Sequence, residues 1–382
     1  MRRKKTEHDK PILLQIVPWD LSFTGGVNIV AKALSECVIE DGRLDPRYWI
    51  ADWNAGVPLR MAPGEKISRI RLSQPPLNAM WRIRSWVRFF IDIIKMSFLI
   101  RKLSPKCIVA HYASSHYFGI IFLRKMRIIR SPIWVVFHGT DLKSIAESGA
   151  AELHVKWLSC ADGIVAVSGF LASEWRKLSS KECEVIYNFG AVDRSNKTLS
   201  CPISKKYILN VGTFSEVKGQ DVLLDAFGRI AGLCSDHDLV LVGRDDGKLS
   251  ELRKQAEVLG ISERVFFFTD VSHDQMSRFY VGATLVVISS RREGHPLVAL
   301  EAGLFGKPVV GTTAGGVPET LDNGCAGLLV APEDATSLAS AMLRLLDDEA
   351  LRATLGVRLK ALVETKFSKR AFWQSYSRIF GL

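Results

Sequence analysis

An α/β protein of two doubly wound domains is what this sequence predicts, on three observations. Short runs rich in Val and Ile alternate with longer helix-like stretches, the pattern of parallel sheets covered by helices. That alternation lapses once, over 191–205 (AVDRSNKTLSCPISK), a polar stretch carrying a proline, and then restarts. The chain has 382 residues, 47% apolar and 24% charged, enough for two ordinary cores in a globular protein.

In the first half the strand-like runs are Ile12–Val17, 48–51, Cys107–His111, 133–138, 164–167 and 185–187. In the second they are 207–211, 239–242, Val265–Phe268, 285–288, 309–310 and Leu328–Val330. The domains are therefore expected at 1–190 and 206–366, with 191–205 as linker. Over 367–382, Phe367, Phe372, Trp373, Tyr376 and Phe380 recur at a spacing of about four that suits one helical face, which predicts a docking helix rather than an aromatic platform.

Composition removes several function classes. No stretch reaches the roughly 18 apolar residues of a membrane span. The basic start (Arg2, Arg3, Lys4, Lys5) leads into an apolar run, Ile12–Val17, too short for a secretory leader, and that run reads as a first buried strand. The seven cysteines (37, 107, 160, 183, 201, 234, 325) are scattered without C-x-x-C spacing, so neither a zinc site nor a disulfide framework is expected, and a reducing, cytoplasmic compartment is. A net charge of +11 fits nucleic acid, an anionic membrane surface or a phosphate-bearing substrate. Basic residues interleaved with aromatics, as a strand-binding groove needs, are absent, so nucleic acid is not an expected partner.

Ligands of doubly wound sheets sit beyond the carboxyl ends of the strands, so chemistry is sought there. In SSRREGHPLVALEAG, 289–303, a strand gives way to a polar loop holding Glu293 and Gly294. Pro296 stands at the first position of a helix, and Glu301 lies eight residues after Glu293. The amides near Leu297 and Val298 can receive a phosphate, because helix N-termini attract anions. The two carboxylates would repel it, and suit sugar or ribose hydroxyls. A capping loop with an exposed helix carboxylate explains the same residues equally well.

In NVGTFSEVKGQDVLLDAF, 210–227, Gly212 and Gly219 permit close backbone approach, and Lys218 brings a positive charge. It is not a Walker loop. Gly243-Arg244 ends the strand LVGR. Gly315-Gly316 follows another strand, as an approach for ligand backbone or an ordinary tight turn. In the first half, Gly25-Gly26 separates the first strand from its helix, and His138 closes IWVVFH ahead of Gly139-Thr140-Asp141. His111 ends the preceding strand and is the weaker candidate. Asp236-His237-Asp238 resembles a metal-diphosphate D-x-D, but it precedes its strand, at the wrong end of the sheet, and reads as loop.

Taken in order, Gly25-Gly26, HGTD (138–141), VSGFLASEW (167–175), VIYN (185–188), VGTFSEVKGQDVLLDAF (211–227), LVGR (241–244), Glu293-x₇-Glu301 and GGVPE (315–319) resemble the retaining glycosyltransferases of family 4, the group-1 glycosyltransferases. The resemblance covers essentially the whole chain and is strongest over 205–335. It implies the GT-B fold: two facing Rossmann-like domains with a cleft between them, acceptor in the N-terminal one, nucleotide-sugar donor in the C-terminal one. The helix at 367–382 would pack back on the N-terminal domain.

The resemblance also implies roles. Lys218 would contact the donor diphosphate, with Gly25 and Gly26 approaching from the other side. Glu301 would hold the ribose, Glu293 the transferred sugar, and His138 would line the reaction centre. Gly212, Thr213, Gly243, Arg244, Arg292, Gly294, Pro296, Leu297 and Val298 complete the donor site. No metal or other cofactor is implied; amides and basic side chains would offset charge on the leaving diphosphate. Anomeric retention would follow a same-face route, with no protein nucleophile named. A glycan or lipid-linked acceptor and surface-polysaccharide assembly are the family's habit.

Three departures stand out. Thr213 replaces the arginine usual after the glycine, His295-Pro296 replaces Phe-Gly in the glutamate loop, and the asparagine loop reads NFGAVD. Arg291, Arg292 and Arg244 are the candidates to supply the charge missing at Thr213. A sugar-nucleotide epimerase, a phosphorylase-like enzyme and a non-catalytic sugar-nucleotide-binding relative remain open on the same fold.

Residues 79–103 add a possible partner. At helical period Arg84, Arg88, Asp92 and Lys95 form a narrow polar stripe, and the rest (Trp81, Ile83, Trp86, Phe89, Phe90, Ile94, Phe98) is apolar beyond what one sheet contact needs. It is expected either to be buried on both sides or to lie in an anionic membrane interface.

Overall fold

A computed structural model describes residues 10–21, 25–51, 66–70, 72–75, 83–192, 203–269 and 271–382. The chain divides into two units: one of residues up to Ile186 plus Trp373–Leu382, the other Tyr187–Phe372. The basic residues 2–5, Trp81, Cys201 and most of the expected linker lie outside the described residues.

The first unit carries β1 (Ile12–Val17), β2 (Asp45–Ala51), β3 (Ile67–Ile70), β4 (Cys107–His111), β5 (Ile133–Phe137), β6 (Gly163–Ala166) and β7 (Glu184–Val185). They form one sheet in the order β3-β2-β1-β4-β5-β6-β7, every neighbouring pair parallel. The second carries β8 (Lys206–Val211), β9 (His237–Val242), β10 (Val265–Phe268), β11 (Ala283–Ile288), β12 (Val309–Thr312) and β13 (Leu328–Val330), in the order β10-β9-β8-β11-β12-β13. Both orders reverse beside the first strand of the unit, which makes each a Rossmann-like, doubly wound sheet with a switch point at its carboxyl edge.

Pleating explains why these strands read as unbroken apolar runs. In β8 and β9, Ile208, Leu239 and Leu241 face one core, whereas Tyr207, Leu209, Val240 and Val242 face the other. Helices cover both faces, so alternate residues are all buried, each aliphatic side chain worth about 1.5–3 kcal/mol.

Four boundaries differ from the sequence expectation. β3 was not anticipated: ISRI is four residues long, and Ile67 is exposed at the sheet edge. β9 begins at His237, so His237 and Asp238 are buried strand residues rather than loop, with Asp238 3.5 Å from the Arg264 guanidinium at the strand's amino end. The second unit begins at Tyr187 because Tyr187 packs edge-on to Phe367 and Phe189 to Phe372. The last helix, Lys369–Ile379, is shared: Phe372 stays with the second unit, and from Trp373 the chain belongs to the first. There the Trp373 indole donates to Asp41 at 3.1 Å and Arg378 to Glu184 at 3.0 Å.

The helix Ile83–Leu103 buries Phe89, Ile93, Met96 and Ile100. Its other side leaves Ile83, Val87, Phe90, Ile91, Ile94 and Phe98 exposed, beside the exposed Arg84, Arg88 and Lys95. This helix is then, among the described residues, buried on one side and not on both. Among the described residues no helix is long and apolar enough to cross a membrane.

Candidate active site

Within the second unit the loops leaving β8, β9, β11 and β12 at their carboxyl ends are stitched together by backbone. Gly212 N–H donates to Val242 at 2.9 Å, Arg291 N–H to Val217 at 2.8 Å, and Gly316 N–H to Glu293 at 3.1 Å. Glycines make this possible. Gly219 has φ +61°, and a Cβ there would lie 2.2 Å from the Ser289 carbonyl oxygen; Gly315 has φ +57°, with the Glu293 oxygen 1.9 Å from a Cβ. Both positions need left-handed backbone and contact with no side chain between. Gly315 therefore serves the packing of the Glu293 loop itself.

These loops bring Lys218 and Glu293 together. The ammonium is 2.7 Å from Glu293 Oε1, and the Ser290 hydroxyl donates to the same oxygen at 2.7 Å. Both side chains stay partly open to solvent, 28% and 13% exposed, so the pair can exchange partners when an anion or hydroxyl arrives. Nearby, the helix Leu297–Leu304 starts one residue later than expected, with Pro296 as its extended N-cap. Leu297 and Val298 supply amides of its first turn, which has no intrahelical acceptor.

Glu301 is placed differently from a solvent-facing carboxylate. It is 4% exposed, and takes a hydrogen bond from Tyr280 Oη at 2.6 Å and a contact from His273 Nε2 at 3.0 Å. Sequence reading missed both partners. Tyr280 is buried in an apolar run, and His273 opens a single 3-10 turn, His273–Gln275, with no repeat or spacing to mark it. Each oxygen of a carboxylate accepts more than one hydrogen bond, so capacity for a hydroxyl remains.

The arginines separate. Arg291 does not stand free for a phosphate: it forms a two-bond pair with Asp221 (2.8 and 2.6 Å), binds Glu333, and donates to the Glu216 carbonyl at 2.6 Å. These carboxylates hold its guanidinium pKa well above the ordinary value. Arg292 is exposed, and Arg244 is exposed at the end of β9. The Thr213 carbonyl accepts from Gln220 Nε2 at 3.1 Å, which braces the loop where the arginine is missing. His295 is buried between the Tyr187 and Phe367 rings, and neither ring nitrogen has a hydrogen-bond partner. Burial first, and Lys366 second, push its pKa down to about 3.

In the first unit, Gly25 is the extended N-cap of the helix Gly26–Asp41. A Cβ at Gly25 would meet nothing within 4 Å, so its own packing does not require glycine there. His138 follows β5 directly and turns toward His111 at the end of β4, Nε2 to Nδ1 at 3.2 Å. Asp141 is buried and accepts from the backbone N–H groups of Ala113, His138 and Gly139 at 2.8–3.1 Å. It closes the turn rather than touching either ring. His111 Nε2 reaches Gln15 Oε1 at 2.8 Å.

Comparison with known proteins fits this geometry. The family profile described as glycosyl transferases group 1 matches residues 194–360, and that described as glycosyltransferase family 4 matches 24–194. N-acetyl-alpha-D-glucosaminyl L-malate synthase of Bacillus anthracis is 26% identical over 297 residues, 75% of this chain and 77% of that protein. Sucrose-phosphate synthase from Thermosynechococcus elongatus superposes with a TM-score of 0.75 at 22% identity, covering 97% of this chain and 98% of its own. Anabaena HepE in complex with UDP does so with a TM-score of 0.73 at 18% identity, covering 97% and 99%.

Proposed function

We propose that this chain, which belongs to the group-1 glycosyltransferases, moves a sugar from a nucleotide-diphosphate donor to a glycan or lipid-linked acceptor with retention of configuration. The observation that carries the reading is the Lys218–Glu293 pair, at the carboxyl edge of the second sheet and in the same loop layer as the first turn of Leu297–Leu304. When a donor arrives, Lys218 turns to the diphosphate and Glu293 to a sugar hydroxyl, each exchanging its partner for a substrate group of the same polarity. The amides of Leu297 and Val298 meet a phosphate oxygen, an arrangement that stabilises the leaving diphosphate without a metal ion. Glu301, oriented by Tyr280 and His273, takes the ribose hydroxyls.

Gly212, Gly243, Gly294 and Pro296 shape the donor loops, with Thr213, Arg244 and Arg292 on their rim. Gly25, Gly26 and His138 serve the reaction from the first unit. The solved relative HepE binds UDP, and also UDP-glucose, which supports a nucleotide-sugar donor here.

The exposed apolar face of Ile83–Leu103, edged by Arg84, Arg88 and Lys95, supports seating on an anionic membrane from the cytoplasmic side. A lipid-linked acceptor in surface-polysaccharide assembly is then presented at that surface. The test is release of nucleoside diphosphate from UDP-, GDP- and ADP-sugars with and without a lipid-linked oligosaccharide. Acceptor-dependent release with an α-linked product from an α-linked donor supports the reading; acceptor-independent epimerisation, or donor binding without release, ends it. Sedimentation with anionic but not neutral vesicles, reversed by salt, checks the membrane face.

A further inference from the structure

Gln15 is a polar side chain in the middle of β1, fully buried in an otherwise apolar strand. Its hydrogen bonds have a direction. Gln15 Nε2 lies 3.0 Å from the Ala31 carbonyl oxygen and 2.7 Å from Ser35 Oγ, on the helix Gly26–Asp41. A carbonyl only accepts, so the amide nitrogen must face it and Oε1 must face the other way. Oε1 is 2.8 Å from His111 Nε2, which must therefore carry the proton. A neutral imidazole has one N–H, which leaves His111 Nδ1 as an acceptor. His138 Nε2 stands 3.2 Å from it and must donate.

We propose that Gln15 and His111 are positioning residues that lock His138 in its Nε2–H tautomer, so that His138 Nδ1 is held as a bare hydrogen-bond acceptor for a substrate hydroxyl. The substrate clause rests on the glycosyltransfer reading; the tautomer does not. A doubly protonated His111 would set its Nδ1–H against the Nε2–H of His138. Burial also disfavours the charge, pushing His138 down to about 3 and His111 well below its usual value. The one carboxylate in the turn, Asp141, is occupied by three backbone N–H groups. His138 Nδ1 is then an acceptor, while its Nε2–H is committed to His111.

The test uses the full chain with 15N-labelled histidine rings. Each ring's tautomer is read from long-range proton–nitrogen correlations at neutral pH, beside kcat and donor KM. Two variants separate the roles. His111→Asn places an amide oxygen near the position of Nδ1 and keeps an acceptor for His138. His111→Gln reaches the Nε2 position, satisfies Gln15 and leaves His138 without one. We expect His138 to be wholly Nε2–H in the parent and in His111→Asn, and a mixture of tautomers in His111→Gln. In that variant kcat should fall about five- to tenfold with KM unchanged, as for one lost hydrogen bond. If His111→Gln does not fold, Gln15→Leu is read for the same mixture. A parent His138 protonated on Nδ1, or one whose tautomer and kcat ignore the loss of its acceptor, overturns the proposal. A parent that transfers no sugar ends the glycosyltransfer reading instead, while the spectrum still decides the lock.

Discussion

The carboxyl ends of the two sheets solve the same problem with opposite electrostatics. In the second unit they hold opposite charges in contact, Lys218 on Glu293, both partly wet. In the first they hold two imidazoles, His111 fully buried and His138 partly, each kept neutral by its surroundings. A solvent-touched ion pair is a reserve of charge that substrate can redirect, at little cost because such pairs stabilise the fold weakly. A neutral, directionally bonded ring can only offer a fixed lone pair. Charge is thus concentrated at the end of the second sheet and fixed hydrogen-bond direction at the end of the first.

The largest expected effect tests how each end is built. Gly315→Ala forces a left-handed residue against the Glu293 backbone, and should cost about 2–4 kcal/mol and nearly all activity. Gly25→Ala has open space and ordinary φ, and should change stability by less than about 0.5 kcal/mol. Urea unfolding of both variants measures the difference; equal losses would erase the contrast in construction.

Next comes the division among the carboxylates. Glu293→Gln should lower kcat at least about tenfold while binding bare nucleoside diphosphate as well as the parent or better, since Lys218 is released. Glu301→Ala should weaken that binding by about 1.5–3 kcal/mol. Calorimetric titration and turnover decide it, and identical behaviour of the two variants would break the assignment.

Acid should then find the neutral rings. His138 and His295 have folded pKa values near 3, below the unfolded value of about 6.5. The unfolded chain takes up protons first, so the stability these rings contribute is complete above pH 6.5 and is lost as pH falls toward 3. The slope is up to about 1.4 kcal/mol per pH unit for each ring. Urea midpoints at pH 7.5, 6 and 5 should show it, and His295→Phe should flatten the curve and gain about 1–2 kcal/mol by removing unpartnered nitrogens. A midpoint that does not move from pH 7.5 to 5 would count against neutral burial.

Smallest is Arg291→Ala, expected to cost about 1 kcal/mol of stability through its pairs with Asp221 and Glu333. Nucleoside diphosphate affinity should be unaltered. Arg292→Ala should do the reverse.

Much of this was legible because strands and their following loops leave strong local marks. Glu293, Lys218, Gly315 and His138 announce themselves as polar or glycine residues in the loops that follow apolar runs. The edge strand β3 left no such mark, being short and half polar. Nor did Tyr280, His273 and Gln15, whose importance lies in hydrogen bonds to residues 21, 28 and 96 positions away along the chain. Nor do the partners of Arg291 show locally: its neighbour Glu293 suggests substrate, whereas Asp221 and Glu333 lie 70 and 42 residues off.

The return of Trp373–Leu382 to the first unit has a consequence for biogenesis. On the ribosome the first unit emerges early, yet its surface around Asp41, Lys106 and Glu184 is completed only by Trp373, Gly381 and Arg378. Through the synthesis of the 186 intervening residues, Tyr187–Phe372, that surface waits uncovered, a seam for chaperones or for a neighbouring nascent chain. A first half expressed alone would inherit the same seam permanently, and supplying residues 373–382 as a peptide in trans is the direct way to close it.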